Sequence, residues 1–424
     1  MQRRQFLTLV GGLAGAALLA RSRLGATPTA SAQAIDRATW WPPQPFDLLR
    51  RVVLEWRYLA GRYTRAEQDF GFVCSLVDYK AIPGFQTARQ ELIVMRKDFR
   101  NGGHTTRTYS GTLAYNATTR TYTFSTPDDS AVAAAWTFNA TSQTYTVDVA
   151  SPELTLGALT LRPAGDLIPE GGDGDITSGN LGTTTVLSDY FADWLTLEQD
   201  GAAVGLARLD MQTIRPQGLP EDVGDFSHHW FALAGTLADC TPVWISAWQI
   251  VSGGNTVWDV TIARHSGAEW SVTSYTEETP AITAPLAIAI LAWQPQPVDN
   301  AGPDDPARRT GKRWRLTAGA SAPADLIDLT LAVPPGQFIK AARIASIRET
   351  PMQEAAGAVA SGAVGGNALA GVTFLLAEST YSELDPDPIA EPTPDSPIVS
   401  PPEPVICTTD PPPGAPLYLP LIRR

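Results

Sequence analysis

The residues of this chain best suited to chemistry fall between Gly205 and Gln249. Asp210 stands between Leu209 and Met211, a carboxylate with apolar neighbours in a strand-like run. A carboxyl walled by apolar or aromatic groups keeps its proton, because desolvation disfavours the charged form. Such an acid can serve as a general acid, donating its proton to a bound substrate. Trp230, Trp244 and Trp248, on the run that follows, supply aromatic surface for that wall. A second reading competes with the first. Arg208 is two residues from Asp210, so on a strand the two share a face and can pair, which keeps the carboxylate ionised and useless as an acid. Glu55 and Arg57 repeat this geometry, so Glu55 is either a second candidate carboxylate or simply the partner of Arg57.

Other chemistries find less support. His228 and His229 are adjacent, so on a strand His228 faces with Trp230 and His229 with Phe231, and without a bulge they cannot hold one metal ion. The fingerprints of serine hydrolases, zinc proteases and nucleotide-binding loops are absent. No metal and no cofactor are expected. Gly171-Gly172-Asp173-Gly174-Asp175 alternates as some calcium loops do, but the twelve-residue spacing and closing Glu are missing, so it reads as a solvated turn. Cys74, Cys240 and Cys407 are three, widely spaced and without zinc or redox spacing. Cys74 and Cys240 are open to two readings, a mutual bridge or two unpaired strand thiols.

The elements that must position these side chains are strands. Pro and Gly at 35 each, abundant Thr and few Lys favour strands and turns over long helices. The first block, Leu54 to Tyr63, leads through a polar turn to Phe70 to Val77, a hairpin pattern. Tyr115-Asn116-Ala117-Thr118 before Thr121-Tyr122-Thr123-Phe124 is repeated by Phe138-Asn139-Ala140-Thr141 before Thr144-Tyr145-Thr146-Val147. Each copy reads as strand, Asn-led turn, strand. Alternation resumes near Thr183 and returns in Trp258 to Ile262, Ala287 to Leu291, Trp314 to Leu316 and Ile327 to Val333. The pair Gly357 to Val359 and Val372 to Ala377 closes the folded part. Pro295 to Thr310 is a charged connection. With 424 residues, the chain is long enough for two cores.

The ends are of another kind. Residues 1–34 form a leader in which Arg3-Arg4-Gln5-Phe6-Leu7 precedes an apolar run and small residues before Ile35. This matches a twin-arginine export signal, with a general secretory signal or a retained anchor as alternatives, although the run is short for a span. Residues 383–424 are rich in Asp, Glu, Pro and Ser and reach Pro416 with no Lys or Arg, the composition of a disordered spacer. The short apolar end, Leu417 to Ile422, is a candidate envelope tether. A net charge of −13, lowered further once the leader's arginines are removed, argues against nucleic acid as a partner.

Taken in order, these blocks resemble the lipocalin-like carotenoid 1,2-hydratase and AttH superfamily. The opening Glu55-Trp56-Arg57-Tyr58-Leu59-Ala60-Gly61 with Gly71-Phe72 is similar to its Glu-Trp-Trp-Tyr strand and Gly-Phe partner. Gly205-Leu206-Ala207-Arg208-Leu209-Asp210-Met211-Gln212 is similar to Gly-x-Ala-Trp-Met-Asp-His-Gln. Trp230-Phe231, Asp239-Cys240 and Glu354-Ala355-Ala356-Gly357-Ala358-Val359 follow in the family's order. Arg57 and Arg208 stand where the family has Trp, Met211 where it has His, and Ala356 where it has Glu. The resemblance implies two tandem lipocalin-like antiparallel β-barrels, 35–215 and 216–382, with a ligand cleft within or between them. It also implies water addition to isoprenoid double bonds, or polyene cyclisation, as activities of relatives.

Three functions follow as expectations. The first is an exported protein binding an elongated apolar small molecule, isoprenoid or lipid-like, through Trp56, Tyr58, Arg208, His228, Trp230, Trp244 and Trp248. The second is an acid–base enzyme of hydratase or cyclase type acting through Asp210, with Glu55 as second carboxylate. The third is a structural surface protein tethered by its tail.

Overall fold

The computed structural model describes residues 36–44, 54–81 and 87–380, apart from short stretches at 172–173, 182–183, 218–225, 253–254, 267–268, 277–278, 280–281, 296–308, 321–324, 333–337, 345–349 and 357–358. The leader, most of the charged connection after Pro295 and the acidic tail lie outside the described residues.

Alternating apolar and polar residues with Gly, Asn and Asp at the turns dictate antiparallel strands, and the body is all-β. One four-residue helix, α1 (Arg37–Trp40), precedes the strands. The first sheet holds β1 (Leu54–Arg65), β2 (Gln68–Tyr79), β3 (Arg89–Asp98), β4 (His104–Asn116), β5 (Thr121–Ser125) and β6 (Ala133–Asn139). It continues with β7 (Thr144–Ala150), β8 (Leu156–Pro163), β9 (Ile168–Pro169), β10 (Asp175–Leu181), β11 (Thr184–Gln199) and β12 (Ala202–Gln217). From β1 to β8, and from β10 to β12, neighbours in sequence pair in turn, and β9 pairs with β11; β12 pairs with β1, and β8 pairs with β11 through Leu195 opposite Pro163, which closes the barrel.

The second sheet holds β13 (Phe226–Leu237), β14 (Pro242–Ser252), β15 (Asn255–Ser266), β16 (Glu269–Thr276), β17 (Ile282–Pro295) and β18 (Arg309–Ala320). After these come β19 (Asp325–Ala332), β20 (Phe338–Ile344), β21 (Thr350–Ala356), β22 (Val359–Val364) and β23 (Asn367–Thr380). Its order, β16-β15-β14-β13-β23-β22-β19-β18-β17, leaves β16 and β17 at the two ends, a barrel that is nearly closed.

The repeated Asn turns are β4–β5 and β6–β7. Asn116 Oδ1 accepts from the N–H groups of Thr118 and Thr119, and Asn139 Oδ1 from those of Thr141 and Ser142, so each side chain builds its turn. Gly205, which opens the Gly-x-Ala-x-x-Asp block, lies against β1 so closely that a Cβ would sit 1.9 Å from the Arg62 carbonyl oxygen. Gly205→Ala is expected to cost about 1–3 kcal/mol, read as a lowered melting temperature.

Side chains sort by face. In β1, Leu59 and Tyr63 point into the first barrel, while Ala60 points out; in β12, Ala207, Leu209 and Met211 point in. The first barrel is filled by its own side chains, and Trp41, just after α1, is fully buried in that core. Its indole donates to the Arg120 carbonyl at 2.8 Å. The second barrel is packed in the same way around Phe231, Ile245, Val260, Trp314 and Leu329. A third apolar cluster lies between the barrels. It joins Ala60, Tyr190, Ala192 and Trp194 of the first to Trp230, Ala232, Trp244 and Trp248 of the second.

The cysteine expectations need correction. Cys74 is a free thiol inside the first barrel with no exposure, and Cys240, in the turn between β13 and β14, is disulfide-bonded. They do not pair with each other, and they are not both thiols.

Candidate functional site

The seam between the barrels gathers the charged residues that the strand alternation pushes outward. On β12 the inward Ala207, Leu209 and Met211 leave Arg208 and Asp210 on the seam face. Cross-strand neighbours complete the patch: Tyr58 of β1 opposite Asp210, and Trp194 of β11 opposite Arg208. Arg208 Nε donates to Asp210 Oδ1 at 2.6 Å, and its Nη2 donates to Glu170 Oε1 at 2.6 Å and to Tyr190 Oη at 3.1 Å. The Tyr190 hydroxyl donates to Asp210 Oδ2 at 2.8 Å. The guanidinium carbon lies 4.9 Å from the Trp230 ring centre and 5.5 Å from that of Trp194. Arg208 is 1% exposed, Asp210 4% and Glu170 0%.

The pairing reading of Asp210 therefore describes its geometry. Burial pushes its carboxyl up to about 6, against the opposing pull of Arg208 and the Tyr190 hydroxyl. Burial alone would lower the Arg208 guanidinium, but Asp210, Tyr190 and Glu170 together hold it well above its ordinary value. Asp210→Asn removes one of two anionic partners and leaves Glu170 in place. The expected cost is about 1.5–3 kcal/mol, read by denaturant unfolding.

Two acids in this seam escaped the sequence reading. Glu170 follows β9, where its N–H donates to the Tyr190 carbonyl at 3.1 Å, and its own carbonyl accepts from Gly174 N–H at 2.9 Å. Of the Gly-Asp run, Gly171 is half-buried and Gly174 buried, while Gly172 and Asp173, on which the solvated-turn expectation falls, lie outside the described residues. Asp259 belongs to β15, whose Trp258, Val260 and Ile262 fill the second barrel and leave Asp259 and Thr261 facing outward. The outer face there is not solvent but the first barrel. Asp259 is fully buried and sits directly opposite Trp248 in the sheet. It accepts from Thr261 Oγ1 at 2.9 Å, from Ser274 Oγ at 2.7 Å and from the Gly171 N–H. Burial raises its carboxyl to about 8, and repulsion from Glu170 adds to the rise.

The other predicted residues divide between the seam and elsewhere. Trp244 stacks on Trp270 with ring centres 3.7 Å apart and lies 5.9 Å from Trp194. Trp230 donates to Ser246 Oγ at 3.2 Å and meets Tyr58 edge-on at 6.5 Å. His228 shares the Trp230 side of β13 and is partly exposed, whereas His229 is buried and meets Ser379 Oγ at 3.0 Å. Glu55 is not brought to Asp210. It lies on the opposite face of the sheet, 2.9 Å from Arg57 Nη2 and near Lys80. Trp56 and Glu55 line a small cavity of about 10 Å³. A larger cavity, about 600 Å³, opens at one end of the first barrel over Tyr63, Phe70, Arg96, Leu156 and Leu159, and shares no residue with the seam.

No protein-family model matches the sequence, and no curated protein matches it. Solved structures do match the fold. An AttH-like protein from Nitrosomonas europaea superposes with a TM-score of 0.51 at 14% identity, covering 84% of this chain and 100% of its own. Kievitone hydratase from Nectria haematococca superposes with a TM-score of 0.52 at 14% identity, covering 84% and 96%. At such identity the likeness speaks for the fold, and the fold this chain shares with both is the lipocalin-like two-barrel body.

Proposed function

We propose that the inter-barrel seam is an acid–base site acting on an apolar, unsaturated small molecule of isoprenoid or polyene type, by hydration or by proton-initiated cyclisation. The observation that carries this reading is Asp259. It is a fully buried carboxyl, opposite Trp248, in a seam that also holds Arg208, Asp210 and Glu170. An acid that keeps its proton at neutral pH is what alkene protonation needs, and Trp230, Trp244 and Trp248 offer the π-faces that steady a carbocation. Asp210, tied to Arg208 and Tyr190, serves as the charge partner that fixes the cation. Kievitone hydratase, one of the fold neighbours, is a hydratase by name, which agrees with this class of reaction.

The test is incubation with a panel of isoprenoid and polyene hydrocarbons in heavy-oxygen water, with products read by mass spectrometry. One solvent oxygen per hydrated product, or an isomer of unchanged mass from cyclisation, is expected. Compounds that quench the seam tryptophans but are never converted would leave binding as the function, and the 600 Å³ mouth of the first barrel would then be the competing site.

Export belongs to the same proposal, with the leader as a twin-arginine signal and the acidic tail as an envelope tether. Arg3→Lys together with Arg4→Lys is expected to trap precursor in the cytoplasm. Unchanged export of that variant would point to the general secretory route.

A further inference from the structure

Arg208 uses only one edge of its guanidinium. Nε and Nη2 are engaged by Asp210, Glu170 and Tyr190, while Nη1 has no hydrogen-bond partner among the described residues. Glu170 is in the same position, with Oε1 on Arg208 and Oε2 without a partner among the described residues. Both side chains are almost wholly buried, at 1% and 0% exposure. These two atoms are the outer ends of one ion pair whose inner atoms, Nη2 and Oε1, are 2.6 Å apart. A buried charged donor and a buried charged acceptor are both costly to leave unmet.

The pair sets a narrow chemical requirement. One oxygen that satisfies both must accept a hydrogen bond from the guanidinium and donate one to the carboxylate. A carbonyl or ether oxygen can accept from Arg208 but presents only lone pairs to Glu170. An ammonium group meets Glu170 and repels Arg208. Only an O–H oxygen does both. We infer that Arg208 Nη1 and Glu170 Oε2 form a receptor for a single hydroxyl oxygen, supplied by an alcohol or phenol of the bound molecule or by a water. The inference rests on the seam being the functional site. It adds to that reading the polar group that the site recognises.

The probes are β-ionol and β-ionone, one isoprenoid skeleton ending in a hydroxyl or a carbonyl, titrated into the full chain by calorimetry. If the ligand supplies the hydroxyl, the alcohol binds at least about tenfold tighter than the ketone, the scale of one hydrogen bond to a charged group. Glu170→Gln then tests the donor–acceptor logic. With its carbonyl oxygen kept on Arg208 Nη2, the new amide places a donor where Oε2 was an acceptor. The preference for the alcohol should fall to parity or reverse.

Should alcohol and ketone bind equally, a crystal structure of the wild-type protein that resolves waters decides the matter. A water within hydrogen-bond distance of both atoms assigns the receptor to water. Equal binding, or a preference for the ketone, with no oxygen between the two atoms would overturn the inference. If neither probe binds, the isoprenoid reading of the seam loses its support, while the crystal structure still decides the receptor. That crystal structure also covers the case in which Glu170→Gln does not fold.

Discussion

Replacing Asp259 by Asn is expected to lower turnover of any converted isoprenoid by about 10²–10⁴-fold, the usual contribution of a positioned general acid. Binding of the same compound should change little, since the amide keeps the size of the side chain, accepts from one of the Thr261 and Ser274 hydroxyls at its oxygen and donates to the other once that hydroxyl turns. The variant carries a second readout that needs no substrate. A carboxyl raised to about 8 in the folded protein, against about 4 in the unfolded chain, is bound to a proton more tightly by the folded state. The stability it contributes is therefore full below about pH 4 and is lost as the pH rises toward 8. Asp210, raised to about 6, acts in the same direction over a narrower window. Buried His229, lowered to about 3, acts oppositely, its contribution being full above pH 6.5 and lost as the pH falls toward 3. Between pH 6.5 and 8 Asp259 should dominate the slope, and Asp259→Asn should flatten it. A pure binding protein would show the flattened slope with no turnover to lose. Turnover that survives the substitution would remove Asp259 from the chemistry whatever the slope does.

What could be read from the sequence was whatever a single strand encodes. Alternation alone predicts that Arg208 shares a face with Asp210, and that His228 and His229 point apart. The Asn116 and Asn139 turns were equally legible, because an Asn side chain shapes its turn through the next few N–H groups, with no help from the rest of the fold. Asp259 was not legible for the opposite reason. Trp258-Asp259-Val260-Thr261-Ile262 reads as a strand with one apolar and one polar face, and a polar face is normally wetted. Nothing local tells that the first barrel covers it. Glu170 was hidden by its setting, since a carboxylate beside a Gly-Asp run reads as one more solvated turn acid. Glu55 stands apart from Asp210 on a point of parity. Both are flanked by apolar residues, but Glu55 shares the inward face of β1 with Leu59, and Asp210 shares the outward face of β12 with Arg208.

Arg208→Met is expected to destabilise the protein by about 3–5 kcal/mol at neutral pH, the cost of stranding buried charges by removing their partner. Met matches the reach of the Arg208 stem between Trp194 and Trp230, so an apolar residue is sterically reasonable there. The penalty arises from what the apolar residue leaves behind. Glu170 and Asp210 each lose a 2.6 Å charged bond, and both are buried too deeply to be rescued by solvent. Protonation of Asp210, whose carboxyl burial already raises to about 6, offsets part of that loss, so the penalty should shrink as the pH falls. The gap in melting temperature between Arg208→Met and wild type should be widest near pH 8 and narrow toward pH 5. Adding Asp210→Asn to Arg208→Met removes one stranded charge, so the double variant should be more stable than the sum of the two single losses predicts. A gap that stays constant with pH, with losses that simply add, would mean that Arg208 stabilises the seam by packing between Trp194 and Trp230 instead of by charge. In that event Asp210, no longer committed to Arg208 as an anion, would rejoin Asp259 as a candidate proton donor.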